Sequence, residues 1–310
     1  MTNQSHRLAR MQKGNILLKS AAPLIAGLCA VALTGGGCAS MHKKFYREVR
    51  ALELVQPAAS DALVTEDDLK PLPAAVQRYF RFMGAVGKPR VWSLHVAFDG
   101  RFKRGADSDW LPCETVQYNS RDELARLFYM TLRVGFIPML GRDTYLRGKG
   151  RMLGKVLDLF TVVDGSGTEF DIGELVTYLN DAILMAPSML LDSAVTWTAI
   201  DDRSFDVALT DRGTTVTARV FLDERGAPVD FSTTDRFMDD PAQPGKYKRA
   251  RWTTPVEGWQ EVGGRMVPIT GRATWYPDGA PPLTYAEFTL KPESVAFNLA
   301  PAVAVGAGSP

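Results

Sequence analysis

Four acidic residues lie in or beside one predicted helix and are the first candidates for chemistry. Glu169 and Asp171 precede the helix predicted at residues 172–184, whereas Glu174 and Asp181 lie within it. Paired carboxylates can transfer protons or bind a hard cation. A structural alternative explains two of them, because Asp171 fits the helix N-cap and Glu174 the capping-box position three residues later. Asp181, deep in the helix beside its apolar side, has no comparable explanation.

Two of these acids, together with a further aspartate and two arginines, form a candidate enzymatic site. A hydrolase-type site would need the charged side chains to converge in one pocket and the carboxylates to have shifted pKa values. No residue is assigned a catalytic role, and the sequence indicates neither a cofactor nor a metal. Zinc sites built from several cysteines are excluded, because the chain has only three. The candidate polar cluster consists of Arg142, Asp143, Glu174, Asp181 and Arg236.

Other catalytic motifs are incomplete in this sequence. Of the three histidines, only His42 and His95 follow the N-terminal segment, so a Ser-His-Asp or Cys-His site would have to use one of them as its base. Gly148, Gly150 and Gly154 resemble a phosphate-binding loop, but the third glycine is one position late and predicted strands flank the motif on both sides. We expect a hairpin turn there, or a strand crowded by a neighbouring backbone.

The first forty residues have the three parts of a secretory signal. Four Lys or Arg residues precede an apolar run at residues 21–33, and small residues lead to Cys38. The run is shorter than the roughly 20 apolar residues that a bilayer span needs. We expect an exported protein anchored in the cell envelope on the periplasmic side, with membrane lipid as its partner. The anchor is either a lipid on Cys38 or a single N-terminal helix, and simple cleavage near Cys38 is the remaining alternative.

The charge of the chain argues against nucleic-acid binding, and its cysteine content argues against stabilisation by disulfides. Removing residues 1–37 takes away four of the 36 basic residues and none of the 35 acidic ones, so the net charge changes from +1 to −3. Such a near-neutral chain does not attract nucleic acid, and nothing in the sequence indicates a protein partner. If Cys29 is removed and Cys38 carries a lipid, Cys113 has no disulfide partner. Core and sheet packing must then supply the stability.

Hydrophobic periodicity predicts three helices and about a dozen strands. The helices are predicted at residues 41–54, 73–84 and 172–184, from apolar residues that recur every three or four positions. From residue 90 onward the apolar residues alternate, and short turns make consecutive strands antiparallel. The predicted strands are 91–98, 115–119, 124–135, 144–150, 156–163, 195–200, 205–209, 214–222, 228–234, 249–254, 266–276 and 283–291.

These elements predict an α+β fold that is mostly β: a large curved antiparallel sheet or open β-barrel, with a helix packed on its concave face. The predicted organisation has four parts. Residues 1–38 form a signal peptide or membrane anchor, and residues 39–70 a basic helix and linker. Residues 71–300 form a single β-rich domain, and residues 301–310 a disordered tail.

A series of fragments spans about residues 70–298. The fragments are residues 72–79, 141–145, 148–150 and 173–179, with Trp197, Asp235, Arg236 and Trp275. Together they resemble an uncharacterised family of conserved bacterial envelope proteins. That family has no assigned activity, so the resemblance implies no site residues. The expected architecture is also similar to lipoprotein and lipid carriers of the bacterial envelope, which hold acyl chains in an apolar concavity.

We therefore hypothesise an apolar ligand, such as a lipid, between sheet and helix, which requires a cavity there. The alternatives are a structural envelope protein without a ligand and the hydrolase-type enzyme described above. The helix side of the ligand site would consist of Leu175, Leu179, Ile183, Met185, Met189 and Leu190, and the strand side of inward aromatic residues such as Trp92 and Phe98.

Overall fold

The alternating pattern after residue 90 folds into one large antiparallel sheet. The computed structural model describes residues 40–53, 62–240, 243 and 245–299. The predicted signal or anchor, with Cys38, and the predicted tail at residues 301–310 lie outside the described residues.

Within the described residues, four α-helices accompany the sheet: α1 (Met41–Glu53), α2 (Glu66–Leu69), α3 (Ala74–Phe82) and α4 (Thr168–Met185). A 3-10 helix over Pro187–Leu190 follows α4, and a second lies at Pro292–Ser294. None of the helices among residues 40–53 and 62–299 combines the length and the apolar character that a bilayer span requires.

The strands of the first half are β1 (Ser93–Phe102), β2 (Leu111–Ser120), β3 (Ala125–Val134), β4 (Ile137–Leu146), β5 (Lys149–Val156) and β6 (Phe160–Ser166). Those of the second half are β7 (Val195–Asp201), β8 (Ser204–Asp211), β9 (Thr214–Leu222), β10 (Pro228–Thr233), β11 (Phe237–Asp239), β12 (Tyr247–Arg249), β13 (Arg251–Thr253), β14 (Val256–Glu257), β15 (Gln260–Val262), β16 (Arg265–Val267), β17 (Thr270–Tyr276), β18 (Leu283–Leu290) and β19 (Ala296–Phe297).

The strand order shows two meanders that meet in the middle of the sheet. The order is β6-β5-β4-β3-β2-β1-β18-β17-β13-β10-β9-β8-β7, with β14 beside β17 and β19 beside β1. The first meander runs from β1 out to the edge strand β6. Helix α4 then carries the chain to β7 at the opposite edge, and the second meander returns to pair β18 with β1. The mostly β fold with a helix on the concave face is thus confirmed.

Opposite faces of the sheet carry α1 and α4. On β3, Leu127 and Tyr129 pack with the buried side of α1, whereas Arg126 bonds to residues of α4. Because neighbouring residues of a strand point to opposite faces, this alternation assigns α4 to one face and α1 to the other. We call these the inner and the outer face.

Two of the predicted strands are wrong in their bounds, because each of them spans a turn in the structure. The strand predicted at 144–150 spans the β4–β5 turn, where Arg147 and Gly148 have positive φ angles of 55° and 76°. The strand predicted at 156–163 spans the β5–β6 turn, where Leu157 and Asp158 have φ angles of 55° and 58°. Strand-forming residues lie on both sides of each turn, and Leu157 is not a residue that usually marks one. Gly148 confirms the expected hairpin turn.

The start of α4 rests directly on β5. A Cβ atom at Gly150 would overlap the carbonyl oxygen of Phe170, which confirms the expected crowding by a neighbouring backbone. The predicted cap is wrong, since the N-cap is Gly167 and has no side-chain hydrogen bond. Asp171 instead accepts hydrogen bonds from the Gly150 amide at 2.7 Å and from the Lys149 ammonium at 2.9 Å. The Asp171 carboxylate therefore joins the helix to the strand.

Candidate functional site

An ion-pair network lies between the inner face of the sheet and α4. The Arg126 guanidinium on β3 donates through Nη1 to Glu174 Oε2 at 2.9 Å and through Nε to Asp181 Oδ2 at 2.8 Å. These residues are only 5%, 3% and 7% exposed, respectively. Glu174 and Asp181 are seven positions apart, which is about two helical turns, so both carboxylates project from one side of α4. A single guanidinium thus bridges both carboxylates away from water, and its one positive charge balances only one of their two negative charges.

Two amides extend this network across β2. Asn119 donates through Nδ2 to Asp181 Oδ2 at 3.2 Å, and Gln117 donates through Nε2 to Asn119 Oδ1 at 2.9 Å. The register pairs Asn119 with Arg126 and Gln117 with Phe128, so the amides share the inner face with the guanidinium. Arg126 also lies 4.9 Å from the Phe128 ring centroid, which favours its charge in a buried position.

Asp143 and Arg236 complete what we call the inner polar cluster. Asp143 on β4 pairs with Phe128 and therefore shares its inner face. Arg236, which precedes β11, lies over the Trp252 ring at 4.1 Å and near the Trp275 ring at 5.7 Å. The Arg236 charge favours the ionised forms of the cluster carboxylates, although no ion pair of Arg236 within 4 Å exists among the described residues. The inner polar cluster comprises Gln117, Asn119, Arg126, Asp143, Glu174, Asp181 and Arg236.

Arg142 lies apart from this cluster, which corrects the predicted grouping. It pairs with Tyr129 across β3 and β4 and forms an ion pair with Glu48 of α1 on the outer face. Arg142 and Asp143 are neighbours in a strand, so they must point to opposite faces. His95 also points to the outer face, since it pairs with Tyr118 in the core under α1.

Burial shifts the acid–base properties of the cluster. Burial raises the pKa of Glu174 to about 7, the nearby charge of Asp143 adds to the increase, and Arg126 opposes it. Burial also raises the pKa of Asp143 and of Asp181, each opposed first by Arg126. Three carboxylates face two guanidinium groups here, so a proton on Glu174 balances the charge. The cluster can hold or release a proton near neutral pH.

Three residues of the cluster were not among the predicted site residues: Arg126, Asn119 and Gln117. Arg126 stands in a strand whose other inward positions are apolar, and a lone cation at an inward strand position is the signal that could have identified it. No group of three or more His, Cys, Asp or Glu side chains within the described ranges could hold a metal ion. The Cys113 thiol is free and buried, and burial raises its pKa to about 11.

The apolar candidates fill the space between α4 and the sheet. Leu175, Leu179 and Ile183 have no exposed surface, and all six helix-side candidates pack in one core with Leu94 and Val96 of β1. Phe98 packs at its border, 5.9 Å from Phe288, and Trp92 is buried. The core members among the candidates are Leu175, Leu179, Ile183, Met185, Met189 and Leu190.

Two clefts occur elsewhere on the described surface. One, of about 420 Å³, is lined mainly by polar and charged residues of β1, β17 and β18, including Arg101, Arg272 and Glu287. The other, of about 240 Å³, lies between Leu72, Arg90 and Trp197. None of the predicted apolar site residues lines either cleft.

Three solved structures share features of this architecture. A structure described as an outer membrane lipoprotein-sorting protein domain, from Vibrio parahaemolyticus, is 10% identical, covers 66% of this chain and 85% of its own, and has a TM-score of 0.32. A DUF1329 family protein from Desulfovibrio piger is 9% identical, with coverages of 77% and 95% and a TM-score of 0.38. A LolA superfamily protein from Nitrosomonas europaea is 12% identical, with coverages of 69% and 90% and a TM-score of 0.35. No functional conclusion follows from likenesses of this strength.

Comparison of the sequence with the curated proteins finds no match. A family model does match residues 62–288, which is most of the chain and includes every member of the inner polar cluster. The resemblance seen in the sequence is thereby confirmed. The chain belongs to DUF6544, a family of unknown function.

Proposed function

We propose that this protein is exported, tethered to a membrane of the cell envelope, and binds a lipid or another apolar ligand between α4 and the inner face of the sheet. The observation that carries the proposal is the composition of that interface. One side of α4 contributes apolar residues such as Leu175, Leu179 and Ile183, and another contributes the buried ions Glu174 and Asp181. The interface is therefore amphiphilic, as a lipid is.

The buried ions favour a helix that can separate from the sheet. Buried ion pairs often stabilise a fold less than apolar residues of the same volume would, because both ions lose their hydration. Separation would return Arg126, Glu174 and Asp181 to water and open the apolar core at the same time. Since side chains fill this space in the structure, ligand entry requires α4 to move. Met185 and Met189 are suited to line a site that changes shape, because the methionine side chain is flexible and polarisable.

A ligand would compensate for the separation of α4 through its own burial. Each methylene group of an acyl chain contributes roughly 0.8 kcal/mol when it leaves water. The N-terminal sequence supports the envelope address, since its basic flank, apolar run and small-residue exit are the three parts of a secretory signal, and Cys38 at that exit is a candidate for lipidation. Helix α1 follows this segment and exposes Lys43, Arg47 and Arg50, which suit anionic headgroups.

Native mass spectrometry of the full chain, extracted from its own envelope in mild detergent, tests the proposal. We expect a bound mass that organic extraction identifies as a lipid or another apolar molecule. A chain that carries only its own mass, and takes up no fatty acid or phospholipid when these are added, would contradict ligand binding and favour the structural alternative.

A matched pair of variants tests the role of the buried ions. We expect the triple variant Arg126→Met, Glu174→Leu, Asp181→Leu to stay folded and to bind several-fold less ligand, because an apolar interface holds α4 on the sheet. The control, Arg151→Met with Asp164→Leu, removes an ion pair in which both side chains are nearly half exposed. Equal ligand occupancy in the two variants would show that the inner polar cluster has no part in binding.

A second candidate is proton-transfer catalysis, which the pKa of Glu174 favours. The cluster also reaches half-buried positions at Asp143 and Arg236, where a polar substrate group could approach. Chromogenic ester and glycoside substrates test this alternative. Hydrolysis that is lost in Glu174→Gln but kept in Glu169→Gln, an acid outside the cluster, would favour the enzyme over the binding protein.

A further inference from the structure

Two neighbouring hairpins present apolar side chains to solvent at one end of the first meander. Seven of the thirteen large hydrophobic residues that are exposed in the described ranges lie here, with exposures from 41% for Leu157 to 105% for Phe136. The β3–β4 and β5–β6 turns are adjacent, because the Leu157 amide donates to the Pro138 carbonyl at 3.0 Å. We call this set the hairpin-tip surface: Val134, Phe136, Ile137, Leu157, Leu159, Phe160 and Val162.

These residues are not required by the turns that they occupy. Gly135, with a φ angle of 60°, provides the unusual backbone conformation of the two-residue β3–β4 turn. The turn places the side chain of residue 136 in solvent but does not require it to be apolar. Leu157 has a φ of 55°, a conformation that Asn, Asp or Gly adopts at lower cost. Apolar residues at such positions neither favour the turn nor join the core. Contiguous exposed apolar surface of this kind marks an interaction site.

The N-terminus of the described fold lies at the same end of the sheet. Helix α1 begins here, because the Met41 amide donates to Asp158 Oδ2 in the β5–β6 turn at 2.9 Å. The chain before Ser40, with its apolar run at residues 21–33 and Cys38, therefore joins the fold beside the hairpin-tip surface. A tether in that segment would hold this end of the protein towards the membrane.

The charges around the tips fit an anionic lipid surface. Arg133 and Lys155 flank the apolar residues, and Lys43 and Lys44 follow in the first turn of α1. Asp158 is the one acid within residues 133–138 and 155–162, and its carboxylate is bonded to the backbone of α1. Apolar side chains bordered by cations are typical of surfaces that enter the interfacial region of a bilayer.

We infer that the hairpin-tip surface docks into the lipid bilayer to which the N-terminal segment tethers the protein. The two tips enter the headgroup region, and the basic residues contact lipid phosphates. This orients the sheet with its β3–β4 and β5–β6 turns towards the membrane. The inference shares the tether of the proposed function, but it does not depend on a ligand between α4 and the sheet.

Site-specific photocrosslinking in the full chain tests the inference. Phe136 or Leu159 is replaced by p-benzoyl-L-phenylalanine, membranes carrying the protein are irradiated, and adducts are identified by mass spectrometry. Phe221 of β9 and Ile200 of β7, which are exposed apolar residues in the other half of the sheet, serve as matched positions. We expect several-fold more phospholipid adducts at 136 and 159 than at 200 and 221.

Other adducts would overturn the inference. Crosslinks from 136 or 159 to residues 1–39 would mean that the chain covers its own tips, and crosslinks to a second copy or to another protein would mean a protein interface. Equal phospholipid yields at all four positions would mean that the tips have no special contact. Fractionation of the unmodified chain tests the tether separately. A membrane-bound chain without tip adducts overturns only the docking surface, whereas a chain found outside the membrane fraction overturns the tether and the docking surface with it.

Discussion

At the scale of single residues, Arg126 determines how α4 meets the sheet. Its guanidinium holds two carboxylates at 2.8 and 2.9 Å in an environment almost without water. An ion taken out of water costs several kcal/mol unless a counter-ion and hydrogen bonds compensate for it. Asp181 accepts a hydrogen bond from Asn119 in addition to that from Arg126, whereas Glu174 has no such amide partner among the described residues. The ionised form of Glu174 is therefore less stabilised, which agrees with its pKa of about 7.

Replacing Arg126 should therefore lower the free energy of unfolding considerably. We expect Arg126→Met to lower the free energy of unfolding by about 3–5 kcal/mol near pH 8, because Glu174 and Asp181 would stay buried without their cation. Urea denaturation followed by circular dichroism measures the change. The control Arg151→Met removes a surface pair with Asp164 and should cost less than about 1 kcal/mol. Similar losses in the two variants would contradict a dominant role for the buried pair.

Glu174 should make stability depend on pH. Its pKa is raised from 4.5 to about 7, so the folded state binds this proton more tightly than the unfolded state does. The resulting stabilisation is complete below pH 4.5 and is lost as the pH rises through about 7. We expect the free energy of unfolding of the wild type, relative to Glu174→Gln, to fall across this range.

Urea unfolding at a series of pH values measures this difference, and carbon NMR of the Glu174 carboxyl gives its titration directly. Asp230→Asn is a useful comparison, because burial raises the pKa of Asp230 to about 6 outside the cluster. The loss of stability linked to Asp230 should therefore be centred at lower pH. A constant difference between wild type and Glu174→Gln would show that Glu174 does not titrate in this range.

At the scale of elements, the approach of α4 to the sheet depends on one glycine in β5 and one in β6. A Cβ atom would overlap the Phe170 backbone at Gly150 and the Phe170 ring at Gly165. The periodicity of the sequence predicted α4 to within a few residues, but it could not reveal this crowding. Which strand crosses the start of the helix depends on pairing between segments that are distant in the chain.

Substitution at Gly150 should displace the start of α4. We expect Gly150→Ala to destabilise the fold by about 1–3 kcal/mol or more, because the added methyl group meets rigid backbone. Gly105→Ala is the matched control, since the nearest atom to its Cβ would be the Ser108 hydroxyl at 3.7 Å. Thermal unfolding measures both variants, and hydrogen exchange should locate the effect in residues 168–175. If Gly150→Ala unfolds at the same temperature as the wild type, the Phe170 carbonyl must lie further from residue 150 than in the structure.

At the scale of the whole molecule, α4 and the β1–β18 pair join the two meanders. The helix contacts β3 to β6 of the first meander and β9 of the second, and it also contacts β11 and β16, which belong to two small separate sheets in the second half of the chain. One apolar core includes residues of both meanders, for example Val96 and Val207. Neither half can therefore bury its inner face alone, and the sheet should fold as one unit.

Cooperative unfolding is the expected consequence. We expect amides of β3 and β9 to lose protection at the same urea concentration, and Gly150→Ala to shift both transitions equally, because a change at α4 acts on both halves. Hydrogen exchange with mass spectrometry of peptides from the two strands measures this. Protection of β9 that persists after β3 has exchanged would mean that the second meander is an independent unit.

The types of the main elements could be predicted from the sequence, because helical and strand periodicity are properties of neighbouring residues. Helices predicted at 41–54 and 73–84 occur as α1 and α3, and the predicted strands became an antiparallel sheet. The tertiary structure decided which side chains meet. Arg126, Asp143, Glu174 and Arg236 come from β3, β4, α4 and the segment before β11, and only strand register brings them to one face. The same register separates Arg142 from Asp143, since side chains alternate across a strand.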